Sequence, residues 1–389
     1  MKRIHIRYWL TILISTGLLI WPDCEEQVRP PDSVRLDLTI TVLDTSILTQ
    51  SLTGNCVVDS AAVFINSITY YNSLAAISDS AGAARFASIM PDRYNISVTR
   101  RFSADRVQQA IGARAERILN GQLQNVTISG ESAELMIYLQ PSVISDLVFS
   151  EIYYNGAPPP PPLYFHDQFT EIYNNSDSTV YLDSLIIADV EYGYVAENVI
   201  HCVHAYRFPG DGDDYPLAPG EFVIIAQDAI DHTQRNPNSI NLADADFEYL
   251  APGGDVDSPD VTNMIKLHHK YGIDFLYSVF NNALCLLRVS DPFALGYDNF
   301  DRLLLPKSAI IDAVEYRDNL AEMEYKRLDP TLDAGLTGGM EAYRGKSVQR
   351  RIDYYKNGRA VLMDNNNSSI DFQVIDRPTP RYFFDGEIR

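Results

Sequence analysis

Val34-Arg35-Leu36-Asp37-Leu38-Thr39-Ile40-Thr41-Val42 alternates apolar and polar residues without a fault. A period of two is what a strand with one face on a core requires, because successive side chains point to opposite faces. Further strand candidates follow at Ala62 to Ile65, Ile68 to Tyr71, Arg85 to Ser88 and Tyr94 to Thr99, with turn chemistry at Asp79-Ser80-Ala81-Gly82 and Pro91-Asp92 between them. Val126 to Ile128 and Leu135 to Leu139 supply closing strands, and Ala104 to Leu119 carries the mixed three- and four-residue apolar spacing of a helix. A small β-sandwich is expected over residues 34 to 141, with a boundary at Gln140-Pro141-Ser142.

The composition agrees. Of 389 residues, 24 are Tyr and only two are Trp, and helix-favouring runs are scarce, so strands should dominate. The length suits two domains of roughly 100 to 200 residues each. With a net charge of -21 the field repels phosphate backbones, which argues against a nucleic-acid partner.

Lys2, Arg3 and Arg7 form a basic leader, and Tyr8 to Trp21 is an apolar stretch too short to span a membrane but suited to a signal sequence. The expected order is a signal over residues 1 to 23, a Pro-rich tether over 24 to 33, the first sandwich over 34 to 141, and a second over 143 to 389. Cys24, just after the apolar stretch and before Glu25 and Glu26, resembles the lipid-modified cysteine of bacterial lipoproteins, although Trp21-Pro22-Asp23 replaces the usual small residues before it. The resemblance implies a protein anchored to a membrane of the cell envelope, facing the periplasm or the cell surface. Cys202 and Cys285 can pair or remain free and buried, and Cys56 is left alone.

The first long strand, Asp79-Ser80-Ala81-Gly82-Ala83-Ala84-Arg85-Phe86, and Met90-Pro91-Asp92-Arg93-Tyr94-Asn95-Ile96-Ser97-Val98 resemble the prealbumin-like, or carboxypeptidase regulatory-like, modules, with Asp92 where Gly is usual. That family is non-catalytic, which implies scaffold work. The second region carries Ser150-Glu151-Ile152-Tyr153-Tyr154, Glu171-Ile172-Tyr173-Asn174 and Pro219-Gly220-Glu221-Phe222-Val223-Ile224-Ile225. It closes on Ile310-Ile311-Asp312-Ala313-Val314, Ser347-Val348-Gln349-Arg350-Arg351 and the Asn-rich Asp364 to Phe372. This succession resembles the lamin-tail fold, an immunoglobulin-like sandwich, with intervals 190 to 215 and 228 to 280 as insertions. The whole chain resembles a Bacteroidota family of exported lipoproteins of uncharacterised function. Such lipoproteins work beside outer-membrane barrels, so a barrel is the partner implied, with a glycan as another.

The expected function is therefore non-catalytic binding or structural support, with Tyr153-Tyr154 and Tyr164-Phe165 as contact aromatics. No G-x-S-x-G elbow, H-E-x-x-H or phosphate-cradling G-x-x-x-x-G-K-[ST] occurs. The alternative is a glycan- or peptide-acting hydrolase with Glu151 and Glu171 as acid and base. The acidic loops, Asp211, Asp213 and Asp214, and Asp255, Asp257 and Asp260, complete no calcium motif and read first as solvated turns, with calcium, a hard cation that takes oxygens, as the alternative. His201 and His204 would project from opposite faces of a strand and cannot converge on one ion, and His268-His269 has the same problem. Ser33, Ser60, Ser80 and Ser184 follow Asp in a pattern resembling the short O-glycosylation signal of exported Bacteroidota proteins.

Overall fold

The computed structural model describes residues 35–384 apart from 71, 143–144, 161–162, 192–196, 252, 254 and 276. Cys24, Ser33 and the leader lie outside the described residues. The fold is all-β, with strands gathered into facing sheets.

Strand Leu36–Leu43 buries Leu36, Leu38, Ile40 and Val42 and turns the residues between them outward. Each such apolar side chain gains about 1.5–3 kcal/mol from burial, so a charge at Ile40 would break the module. The strand sits between Ala83–Ile89 and Ser132–Tyr138 in a three-stranded sheet. A five-stranded sheet, in the order Ser73–Ile77, Ala62–Ser67, Asp92–Phe102, Arg117–Ile128 and Gln140–Ser142, faces it across a shared apolar core. The turn into Ala83–Ile89 is held by Asp79, whose Oδ1 accepts the N–H groups of Ala81 and Ala83. Gly82 lies at φ +73°, and a Cβ there would press on Val57 at 2.9 Å.

Two elements differ from the sequence reading. Ile68 to Tyr70 is a turn, because Asp92 accepts from Thr69 N and Thr69 Oγ1 and ends the strand there; the hairpin partner is Ser73–Ile77 instead. The helix is only Ala104–Ile111, capped by Ser103 and stopped at Gly112 in the left-handed region. From Arg117 the chain pairs back along Asp92–Phe102, and those ladder bonds outweigh helical spacing.

The second region stacks two seven-stranded sheets. One runs Thr262–Asn263, Phe247–Glu248, Phe222–Ala226, Phe169–Asn174, Leu147–Tyr153, Ser347–Arg350, Phe372–Ile375 and carries the two glutamates. The other runs Ile265–His269, Val199–Arg207, Ile186–Val190, Asn281–Leu287, Ile310–Arg317, Thr337–Gly338, with Leu303–Pro306 also paired to Val199–Arg207. Phe149, Ile152 and Ile225 meet Leu284, Val314 and Tyr316 between them. The intervals expected as insertions contribute strands: Val199–Arg207 lies inside the second sheet, paired on both sides, and Ile265–His269 is its edge.

Cys202 and Cys285 are buried and free. They lie on the strands either side of Ile186–Val190, opposite Val190 and Ala188, and so at least about 9–10 Å apart by strand spacing, beyond the roughly 7 Å a disulfide spans. The closing turn is organised around buried Arg350. Its Nε donates to Phe149 O at 2.8 Å, its Nη1 to Met363 O at 2.9 Å and its Nη2 to Asp312 at 2.7 Å, while Asp364 and Asp371 stand 3.6 and 3.7 Å away. The same turn meets the first module. Asn120 Nδ2 donates to Asn365 O at 2.9 Å, and Asn367 Nδ2 to Thr99 Oγ1 at 2.9 Å.

Candidate functional site

The Pro219-Gly220 turn leads into strand Phe222–Ala226, which ends at Gln227-Asp228. There the chain meets two loops, one before Thr262–Asn263 carrying Asp255 and one after Ile265–His269 carrying Asp274. Asp228, Asp255 and Asp274 each turn a carboxylate oxygen to one point, all within 4.8 Å of one another. Asp228 is buried and the other two are partly buried. Gln227, also buried, donates through Nε2 to Asp274 Oδ1 at 2.6 Å and Asp228 Oδ1 at 3.4 Å. Asp255 is fixed by the N–H groups of Ala251 and Val256, and His166 Nδ1 lies 3.0 Å from Asp274 Oδ2. Burial, then hydrogen bonding to Asp255 and the charge of Asp274, push Asp228 above the ordinary carboxylate range. Burial would also raise Asp274, but hydrogen bonds from His166 and Gln227 outweigh it and hold its carboxyl low. Glu248 clamps the surrounding loops by accepting from Ala229 N at 2.9 Å and Ser258 N at 2.7 Å.

Of the acidic residues singled out in the sequence, only Asp255 joins this group. Asp211, Asp213 and Asp214 lie exposed on a loop ordered by Asp183, which accepts from Gly212 N, Asp214 N and Tyr215 N. Burial raises Asp183, but these three donors outweigh it and leave the carboxyl below its ordinary value. Asp257 is exposed and accepts from Asn263 Nδ2. Asp228 and Asp274 carried no local motif; only the tertiary fold brings them to Asp255. Ser60 and Ser80 are exposed and Ser184 partly so.

The histidines are held by carboxylates and by each other. His201 bridges Asp298 at 2.6 Å and Glu197 at 2.8 Å, and His204 Nδ1 meets Asp189 at 2.8 Å. Strand register sets His204 opposite His269, with ring centroids 4.6 Å apart.

Glu151 and Glu171 stand opposite each other across Leu147–Tyr153 and Phe169–Asn174. A bulge at this point turns them away from the core, beneath the C-terminal segment. Glu151 accepts from Thr379 N at 3.1 Å and Gln349 Nε2 at 3.1 Å; Glu171 accepts from Ser150 Oγ at 2.7 Å and Arg381 N at 2.5 Å. Burial pushes Glu151 up to about 7 and, with the charge of Glu151 added, Glu171 up to about 8. Both are wholly buried, so as they stand they fasten the C-terminal segment and meet no substrate. A cleft of about 630 Å³ lined by Glu197, Lys307 and Asp329 has its carboxylates committed to His201 and Lys307.

Tyr153 and Tyr154 are core residues, the latter stacked on Tyr316 at 3.6 Å, so neither is a contact aromatic; Tyr164 and Phe165 are partly buried. The exposed rings are elsewhere. Tyr271 is 54% exposed, Tyr297 46% and Phe300 66%. They form one face: Lys270 Nζ lies 4.9 Å over the Tyr271 ring and donates to Phe300 O, and the His268 ring stands 5.2 Å from that of Tyr297.

The profile of the family "Protein of unknown function (DUF4876)" matches residues 218–300 and 296–379. A solved structure of a DUF4876 family protein from Bacteroides thetaiotaomicron VPI-5482 matches with a TM-score of 0.55 at 24% identity, over 87% of this chain and 94% of that one. The chain is similar to DUF4876 proteins. Its likeness to the DUF4876 structure is one of fold, and Gln227, Asp228, Asp255, Asp274 and the exposed rings all lie inside the profile match. A candidate carbohydrate-binding protein from Bacteroides uniformis ATCC 8492 matches at 10% identity over 73% of this chain and 99% of that one; its TM-score of 0.18 carries no argument. No curated protein matches.

Proposed function

We propose that the protein is a non-catalytic binding module of the bacterial cell envelope, lipid-anchored through Cys24, whose loops around Tyr271, Tyr297 and Phe300 engage a partner. The observation that carries this reading is the exposed aromatic face. The three rings are 46–66% exposed, two of them against Lys270, and large aromatic residues are what interface centres are enriched in. The envelope assignment rests on the leader and Cys24, and the partner sought first is an outer-membrane barrel, with a glycan as the other class. The hydrolase reading has no matching support, because Glu151 and Glu171 are sealed under the C-terminal segment.

The test is site-specific photo-crosslinking in the native envelope. A photoreactive side chain at position 297 or 300 is compared with one at Tyr354 or Tyr355, which match them in exposure at 46% and 67% on a separate hairpin. A discrete adduct from 297 and 300 and none from 354 and 355 supports the reading. Equal labelling at all four positions, or none, overturns it.

A further inference from the structure

We propose that Asp228, Asp255, Asp274 and Gln227 form a binding site for one calcium ion. Oxygens bound to a single calcium at 2.3–2.6 Å can stand at most about 4.6–5.2 Å apart, and the three carboxylates already place one oxygen each within 4.8 Å of the others. They come from three separate loops, so the convergence is made by the fold and not by a run of acidic residues.

Gln227 points to a ligand independently. It is 1% exposed and its amide lies against the cluster, yet Oε1 has no hydrogen-bond partner. Rotating the amide by half a turn exchanges O for N, a choice the heavy-atom positions leave open, and shifts the unpaired position from the acceptor to the donor. The oxygen then stands about where Nε2 is, 2.6 Å from Asp274 Oδ1 and 3.4 Å from Asp228 Oδ1. Without a cation those three oxygens would repel; with one between them they are a coordination edge, and Gln227 becomes the neutral fourth ligand.

Charge and donor type narrow the ion. Three carboxylates face one basic side chain among the described residues, His166, and a divalent cation balances them. An all-oxygen set suits a hard cation, and ligands on three irregular loops suit calcium, which tolerates varied geometry, better than magnesium, which demands a small near-ideal octahedron. His166 then serves behind the ligands, orienting Asp274 through its second oxygen. Since Asp274 follows Tyr271 and Ile273 in one loop, the ion would tie that loop to the end of strand Phe222–Ala226. The site stands without the partner-binding reading.

The experiment is calorimetric titration of calcium into the EDTA-treated full chain, with terbium luminescence sensitised by nearby tyrosines as a second readout. One calcium per chain is expected, with affinity falling at least tenfold in Asp228→Asn and in Asp274→Asn. Asp211→Asn with Asp213→Asn should bind like the wild type. If Asp228→Asn does not fold, the partly exposed Asp255→Asn carries the test in its place. Absence of binding at millimolar calcium, preference for magnesium, or loss of binding in the Asp211/Asp213 variant and not in the others would overturn the site.

Discussion

Replacing Arg350 by Met removes the cation that the closing turn is built on. The side chain gives up donors to Phe149 O, Met363 O and Asp312, and leaves Asp312, Asp364 and Asp371 facing one another in the interior. Breaking a buried ion pair from one side costs about 3–5 kcal/mol, which for a unit of this size corresponds to a fall of roughly 6–20 °C in melting temperature. The loss carries a sign in pH. Burial already pushes Asp371 up to about 6, with Arg350 pulling the other way. A carboxyl raised in the fold contributes stability that is complete below its unfolded value and is lost as pH rises through the folded one. Removing Arg350 raises the folded value further, so the deficit should be largest near pH 8 and shrink towards pH 5. Urea unfolding of wild type, Arg350→Met and Arg350→Lys at both pH values measures it. Lys keeps a charge but cannot reach three acceptors in one plane, and should fall between the other two. A deficit below about 1 kcal/mol at pH 8, or one independent of pH, would refute the reasoning.

Glu151 and Glu171, raised from 4.5 to about 7 and about 8, leave the fold holding more protons than the unfolded chain across that window. Stability should therefore fall as pH rises through 7 to 8, by at most about 1.4 kcal/mol per pH unit for each group; a urea midpoint higher at pH 8.5 than at pH 5.5 contradicts this, and Glu171→Gln should flatten the slope. Residues 34–141 and 143–389 should each melt cooperatively when produced alone, because their strands pair only within each set and the contacts described between them are polar; two non-cooperative halves would end the two-domain proposal. Labelled fatty acid should enter the wild-type protein and not Cys24→Ala, and equal labelling of both would remove the anchor.

The strand content and the Asn-rich closing turn were legible because their signals are local, whereas the Arg350 cluster that the turn surrounds was not. Leu36–Leu43 alternates on one exposed-edged sheet, and Ser347–Arg350 with Asp364–Phe372 brings its hydrogen-bonding partners along in sequence. Where both faces of a strand are covered, alternation vanishes: Leu147–Tyr153 is buried at every position, capped on its outer side by the C-terminal segment and by the 229–245 loop. That is why Tyr153 and Tyr154 read as contact residues and proved to be core. The acidic runs at 211–214 drew attention by density, whereas the convergent trio is spread over 47 positions from Asp228 to Asp274 and becomes visible only when sheet order brings three loops together.

The central claim is that the protein binds through its exposed rings. Its most direct measurement is the affinity of the crosslinked partner, once purified, for wild type, Tyr297→Ala and Phe300→Ala. Truncating a central aromatic contact typically costs about 2 kcal/mol or more, so each variant should bind roughly 30-fold more weakly with an unchanged melting temperature. Affinity equal to the wild type in both variants would contradict the account.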